Sequence, residues 1–516
     1  MADRKALTSI LFPHSASTDP AAECDEPACF RDLKLDAIVA RMIAGRQDYG
    51  LEPLFHAPLS DPDTIAYRQA VIRDLADPGI AGAMARFTET MRQRSRQRRQ
   101  AAVAGSRLEA QRWQLDAAAS YRRAVVALRD ELEALEPVSE GLTAWRDELR
   151  AHIATPAFRR YCEEMDRVRA ALDGVRYGVR IRENGFEVQP DPEGADLVAE
   201  AEQVFAPLRE SERPEPADAD DRGERSMDPV ETRILDSIAR LNPEPFAALA
   251  RFCEDYGDTA DPVILRFERE LQFVRAVRAY VDRLQRQGLP FCDPQLCTHK
   301  TGVGAREAFD LALADQLVAR GEPVVTNDFH WQEGERVLVV TGPNQGGKTT
   351  FARSVGQLHY LARLGCPVPA REARLLLTDR VFTHFDREEQ VGDGRGKLED
   401  DLARIGWILE AATERSLVIL NEPFHATQLQ DAVTLTTRTL EALMERDAFG
   451  VCVTFVDEVA RLDSRIASLA STLDESESQR RTFRVQRLPA DGRAHARSLA
   501  EDHGLTYERL RERLPR

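Results

Sequence analysis

The sequence predicts an α/β domain with a mostly parallel sheet and flanking helices, preceded by a mainly α-helical region that a β-hairpin interrupts. Three observations carry that prediction. After Gly321, short runs that are apolar on both faces, Val337 to Val340, Leu417 to Leu420 and Val451 to Phe455, alternate with helical stretches, which is the texture of buried parallel strands covered by helices. From Leu33 to Leu172 the apolar residues recur at helical spacing, as at Leu128, Leu132, Leu135, Leu142, Trp145 and Leu149, a stripe that long helices bury against one another. At Val175 the period becomes two: Val175, Tyr177, Val179 and Ile181 alternate with Arg176, Arg180 and Arg182 before Asn184-Gly185, a dipeptide suited to a tight hairpin turn.

The elements follow in order. Residues 1–32 form an N-terminal segment, and 33–320 form the helical region, with the hairpin at 175–188 and an acidic loop at 210–228. That loop holds eight acidic residues and two prolines with almost nothing apolar, so burial cannot offset the entropy of ordering it. Helix resumes at Asp228-Pro229-Val230-Glu231, where Asp caps, Pro suits the first turn and Glu stands three residues past the cap. A longer helix is predicted from Pro262 to Arg286, with Phe267, Leu271, Val274, Val281 and Leu284 on one face. Residues 321–516 form the α/β domain.

Composition excludes several classes. An apolar fraction of 43% and a charged fraction of 30% are those of a globular protein, and no apolar run approaches the roughly 18 residues that a membrane crossing needs. Without a long apolar stretch near Leu7, Ile10, Leu11 and Phe12 a secretory signal is not expected, and a cytoplasmic location is. The 70 basic and 87 acidic residues leave a net charge of −17, which argues against coating nucleic acid by bulk attraction. The eight cysteines are too sparse for a disulfide scaffold. Cys24/Cys29, and Cys292/Cys297 with His299, are either reduced thiols, the preferred reading, or half-sites for zinc, though neither pair has the tight Cys-x2-Cys spacing.

Chemistry concentrates after Val340. Thr341-Gly342-Pro343-Asn344-Gln345-Gly346-Gly347-Lys348-Thr349-Thr350 satisfies the P-loop pattern G-x4-G-K-[ST] between an apolar strand and a helix. Glycines let backbone N–H groups turn toward phosphate oxygens, Lys348 supplies a point charge between the outer phosphates of ATP, and the Thr349 hydroxyl can hold Mg2+. The strand Leu417 to Leu420 ends in Asn421-Glu422, where such a site needs carboxylates. Glu422 is the candidate to activate the attacking water. Asn421 offers the metal shell a neutral oxygen, a weaker anchor than a carboxylate.

From Thr341 to Phe385 the sequence resembles the ATPase domain of the MutS family of DNA mismatch-repair proteins. The resemblance is carried by the TGPN-x-GGK start, by Gly365 with Val368-Pro369-Ala370, by Asp379-Arg380-x-Phe382-Thr383, and further on by Ala412 to Val418 and a tail around Gly504-Leu505. It covers about 320–516 strongly. Leu54 to Leu75 and Phe267 to Val281 resemble parts of the family's helical core and lever region less closely. The resemblance implies an ATP-binding homodimer joined through its ATPase domains, in which nucleotide gates DNA clamping, with a repair protein as a further partner. Three departures imply slow hydrolysis: Asn421; Gly396, within Gly394 to Leu398, where the family's signature Ser is missing and Lys397 is the candidate electrostatic substitute; and Phe455, where the family has a histidine. Val324 stands where an aromatic residue commonly stacks on adenine, with Phe329 or His330 as replacements. Only residues 1–32 precede the helical core, so a mismatch-reading domain is not expected, and Phe252-Cys253-Glu254 is read as coincidence with that domain's wedge motif.

Local charge is the remaining route to DNA. Arg92, Arg94, Arg96, Arg98 and Arg99, with Arg86, fall on predicted helix, and the hairpin arginines are a second candidate. Either set contacts phosphates or is simply a solvated face. The sequence therefore supports an ATP-dependent DNA-binding ATPase, with an ATP-binding scaffold that recruits a protein partner on dimer closure as the alternative.

Overall fold

The structure is a computed structural model that describes residues 9–13, 24–182, 185–190, 227–257, 260–386, 396–473, 481–489 and 511. The acidic loop, except Met227 and Asp228, and the tail around Gly504 lie outside the described residues. Among the described residues no helix is long and apolar enough to cross a membrane. The chain divides into two compact units: Ala76–Val138 with Leu142–Glu268, and Met1–Leu75 with Ser139–Gly141 and Arg269–Arg516.

The first of these is helical. Pro78–Val103 and Arg107–Leu135 are its long helices, each started by a side-chain cap: Asp77 accepts from the amides of Gly79 and Ile80, and Ser106 from that of Glu109, worth about 1 kcal/mol apiece. Phe87 meets Phe267 edge-on, and Trp145 stacks on Phe267 at 4.1 Å between ring centroids. The predicted capping box is formed, with Asp228 accepting from Val230 and Glu231 while its own amide donates to Glu231. The hairpin pairs β1 (Tyr177–Arg182) antiparallel with β2 (Gly185–Pro190), Arg182 opposite Gly185. Phe252 is buried among Tyr161 and Tyr256, a core role consistent with coincidence for its F-x-E letters.

The basic run does not form one solvated face. Met84, Phe87, Met91 and Arg94 share a helical stripe and all are buried, so the Arg94 guanidinium packs over the Tyr121 ring at 5.9 Å; burial lowers its pKa. Arg96 pairs with Glu89 at 3.1 Å, Arg92 approaches the same carboxylate at 4.0 Å, and Arg98 donates to the Gly257 carbonyl at 3.3 Å. Arg94 is therefore corrected from DNA candidate to packing residue. Arg176 and Arg180 remain exposed on and beside the hairpin.

The second unit holds two sheets. A small one has the order β3 (Gln295–Cys297), β7 (Glu372–Leu376), β4 (Gly304–Ala308), β5 (Asn327–His330). The larger runs β12 (Arg481–Arg487), β11 (Ile466–Leu473), β6 (Val337–Thr341), β10 (Phe449–Val453), β9 (Leu417–Asn421), β8 (Val381–His384), with every neighbouring pair parallel except the edge strand β12, which is antiparallel to β11. β6, β9 and β10 are buried along their whole length, each large aliphatic side chain contributing about 1.5–3 kcal/mol. That burial explains their unbroken apolar runs.

The boundary expected near residue 320 is not where the compact units divide, because the N-terminal helices are anchored in the α/β unit. Gln357 on the helix Lys348–Arg363 donates to the Leu33 carbonyl at 2.9 Å, and the Tyr360 hydroxyl to that of Phe55 at 2.8 Å. Buried Asp32 accepts from Thr383 at 2.7 Å and pairs with Arg404. Further back, Ser9 and the Ile10 amide bond to the Glu270 carboxylate at 2.8–2.9 Å. All eight cysteines are free thiols, and burial pushes Cys366 and Cys452 up to about 12 and Cys292 to about 11.

Candidate functional site

The chain leaves β6, goes to the far edge at β8, returns through β9 and β10 to lie beside β6, and only then crosses to β11 on its other side. The C-terminal end of β6 is thus a switch point, the place where open parallel sheets bind ligands. The glycine-rich loop stands there. Gly342 and Gly347 have φ of 118° and 92°, conformations that a Cβ makes costly, and the loop is closed by a bond from the Gly346 amide to the Pro343 carbonyl at 3.1 Å.

Gly347 ends the loop and caps the helix Lys348–Arg363 without a side chain, leaving the first amides of that helix directed at the site. Lys348 folds back over the loop, donating to the Gly342 carbonyl at 2.7 Å and the Pro343 carbonyl at 3.2 Å. Burial lowers its pKa, with the carboxylates of Glu422 and Asp457 acting in the opposite sense. The Thr349 hydroxyl donates to Asn421 Oδ1 at 2.8 Å, joining the start of the helix to the end of β9.

Glu422 has φ of 51° and precedes Pro423, a position that favours extended backbone. Its amide donates to the Val453 carbonyl at 2.8 Å. Two residues on, Phe424 has φ of 59° and is buried with Ile405 and Ala432. Strain of this kind persists only where the surroundings over-determine it, and it clusters at functional sites.

A cavity of about 1010 Å³ brings these groups together: Asn344, Gln345, Gly347, Lys348, Thr349, Thr350 and Glu422 on one side, apolar Leu313, Leu317 and Val325 with Pro323, and Arg481 to Phe483 from β12. Gly342, Pro343 and Gly346 shape the loop without lining that cavity. Val324 is not among the lining residues, and Phe329 is buried against Trp331 and Phe351. His330 lines neighbouring clefts instead. The aromatic in the cavity is Phe483, which sequence reasoning missed: it is 48% exposed, and Asn327 holds its strand by accepting from the Val485 amide at 2.7 Å and donating to the Phe483 carbonyl at 3.1 Å. A lone aromatic in the basic run Arg480 to Arg487 was the available signal. Arg481 donates to Gln345 Oε1 at 2.8 Å.

Gly396 caps the helix Lys397–Ala411 and is exposed; Gly394 and Arg395 lie outside the described residues. Lys397 pairs with Asp386 at 2.6 Å. Phe455 follows β10 and is 45% exposed.

The glycine loop yields a packing test. A Cβ on Gly346 would stand 2.6 Å from buried Ser471 Oγ and 2.9 Å from the Pro343 carbonyl oxygen. Gly346→Ala is expected to cost about 1–3 kcal/mol in urea denaturation through overpacking, and Ser471→Ala in the same chain should recover part of it. Full wild-type stability of Gly346→Ala alone would refute this geometry.

The fold and site define the class: an α/β protein whose glycine loop and acidic strand end meet at the C-terminal edge of a mostly parallel sheet. Residues 338–499 match the family model for MutS domain V, and over that part the chain is similar to proteins of the MutS family. It is 34% identical over 139 residues to the DNA mismatch repair protein MutS of a Thermotoga species and equally to that of Thermotoga petrophila, covering 27% of this chain and 18% of each relative. With the MutS of Caldicellulosiruptor bescii the identity is 29% over 158 residues, 30% of this chain and 18% of the relative. The chain thus spans about a fifth of the length of the curated relatives it matches.

Proposed function

We propose that the protein is a MutS-type ATPase that binds ATP at the glycine loop and couples binding and slow hydrolysis to a clamp on DNA. The observation that supports this reading is that Lys348, Thr349 and Glu422 line one cavity, with Thr349 bonded to Asn421, an arrangement suited to phosphates, a metal shell and an attacking water. The loop amides and Lys348 take the phosphates, Phe483 and the apolar wall take the base, and Glu422 polarises the attacking water. Mg2+ fits as a partner of the neutral oxygens of Thr349 and Asn421 and, when bound, neutralises charge on the outer phosphates. A role in DNA repair is supported by the relatives' names; a homodimer through the ATPase domains and a repair-protein partner belong to the same reading as expectations of the resemblance. Phosphate contacts are assigned first to exposed Arg180 of the hairpin, since Arg94 is buried, Arg92, Arg96 and Arg98 are tied to internal partners, and Arg176 donates to the Asp173 carbonyl at 2.7 Å.

The test is binding to duplex, mismatched and junction DNAs at two salt concentrations, with and without ATP. Binding is expected to depend on ATP and to fall with a logarithmic salt slope of about 0.9 per phosphate neutralised on duplex DNA. Salt-insensitive or absent binding to every DNA would remove the DNA half of the reading. Asn421 in place of a carboxylate favours a second reading, an ATP-responsive scaffold that hydrolyses little and recruits a protein on dimer closure. Steady-state ATPase assays with and without DNA separate the two, since a scaffold shows lasting ATP occupancy and no DNA-stimulated turnover.

A further inference from the structure

Glu422 needs help to stay where it is. A non-glycine residue in the left-handed region before a proline is costly, and the bond from its amide to Val453 restrains only one end of its peptide environment. The other end is met by His425. Its Nδ1 lies 3.3 Å from the Glu422 carbonyl oxygen, and because a carbonyl only accepts, Nδ1 must carry the hydrogen.

The far side of the ring is held as well. Lys397 Nζ is 3.0 Å from His425 Nε2, Asp386 Oδ2 is 3.4 Å from the same atom, and Lys397 bonds Asp386 at 2.6 Å. A neutral ring accepts from the ammonium, and a charged ring donates to the carboxylate. In both states Nδ1 keeps its hydrogen, so the link to Glu422 survives either protonation state. Asp386 lies just beyond β8, Lys397 opens the helix Lys397–Ala411, and His425 lies just beyond β9. Three elements at the C-terminal edge of the sheet thus converge on one imidazole, and buried Phe424 pins the chain between the histidine and Glu422.

We infer that His425, clamped by Lys397 and Asp386, is the positioning residue that holds Glu422 in its strained turn and so aims the carboxylate at the bound nucleotide. This rests on the ATPase reading above and adds a residue to it. His425 acts through Glu422 and does not itself touch the phosphates. It also gives Lys397 a role within its own subunit, in place of the electrostatic substitution toward an opposing subunit expected from the sequence.

The experiment compares His425→Ala, His425→Asn and His425→Gln in the full chain, measuring ATP affinity by calorimetry and single-turnover hydrolysis separately. Asparagine puts an amide N–H where Nδ1 stands and keeps the bond to Glu422; glutamine reaches the Nε2 position and loses it. The expected result is a fall of about tenfold or more in turnover for Ala and Gln, affinity within about twofold of wild type in all three, and Asn within about threefold of wild-type turnover. Turnover of His425→Ala at the wild-type level overturns the inference, as does Asn falling as far as Ala, or a loss of affinity matching the loss of turnover. Wild-type protein that binds ATP without turning it over also overturns it, leaving nucleotide binding intact. Wild-type protein that binds no ATP overturns the ATPase reading itself.

Discussion

Lys348→Ala is expected to weaken ATP binding by about two orders of magnitude, the loss of a charge-assisted contact of roughly 1.5–3 kcal/mol in a desolvated loop. The ammonium is buried and presently satisfied by the Gly342 and Pro343 carbonyls. Its pKa is lowered chiefly by burial, an effect only partly opposed by Glu422 and Asp457. A polyphosphate offers it a stronger partner than a carbonyl, and alanine offers none. The measurement is calorimetric titration with ATP, beside a melting curve to show that the variant folds. Truncation strips a donor from two carbonyls, so a modest fall in stability, on the order of 1 kcal/mol, accompanies the loss of binding. Unchanged nucleotide affinity would contradict a phosphate cradle at 342–350.

Glu422→Gln separates binding from chemistry. Glutamine matches the shape of the side chain and leaves the amide bond to Val453 in place, so the turn should survive. It cannot take a proton from water. Turnover is expected to fall by about 10²–10⁴, the usual contribution of a positioned general base, while ATP binds at least as tightly. Single-turnover hydrolysis with radiolabelled ATP reads the first quantity and calorimetry the second. Wild-type turnover in this variant would mean that another group handles the water.

The contrast between these two residues shows how the site could be read from the chain. Lys348 and Thr349 are local to one loop between a strand and a helix, so adjacent letters place them, and the structure finds Thr349 bonded to Asn421. Glu422 was legible as the acid at the end of an apolar strand. What letters did not show was its left-handed backbone, which depends on Val453, Phe424 and His425 acting together. Phe483 escaped for a similar reason: β12 is far from the loop in sequence and reaches the cavity only because β11 lies beside β6. Arg94 was misread because charge was weighed before register. Its spacing from Met84, Phe87 and Met91 puts it on the buried stripe, a pattern the sequence did contain.

Periodicity and turn chemistry are short-range, and they alone were sufficient for the parallel α/β texture, the strands β6, β9 and β10, the capping box at Asp228 and the composition of the glycine loop. Tertiary packing decided where one compact unit ends and the next begins, since Asp32, Phe55 and Ser9 join the α/β unit through bonds to residues hundreds of positions away. It decided the company of Glu422 and His425 too. Hydrogen-bond partners and buried ion pairs are properties of three-dimensional neighbours, and a chain that folds by closing long loops leaves little trace of those neighbours in adjacent residues.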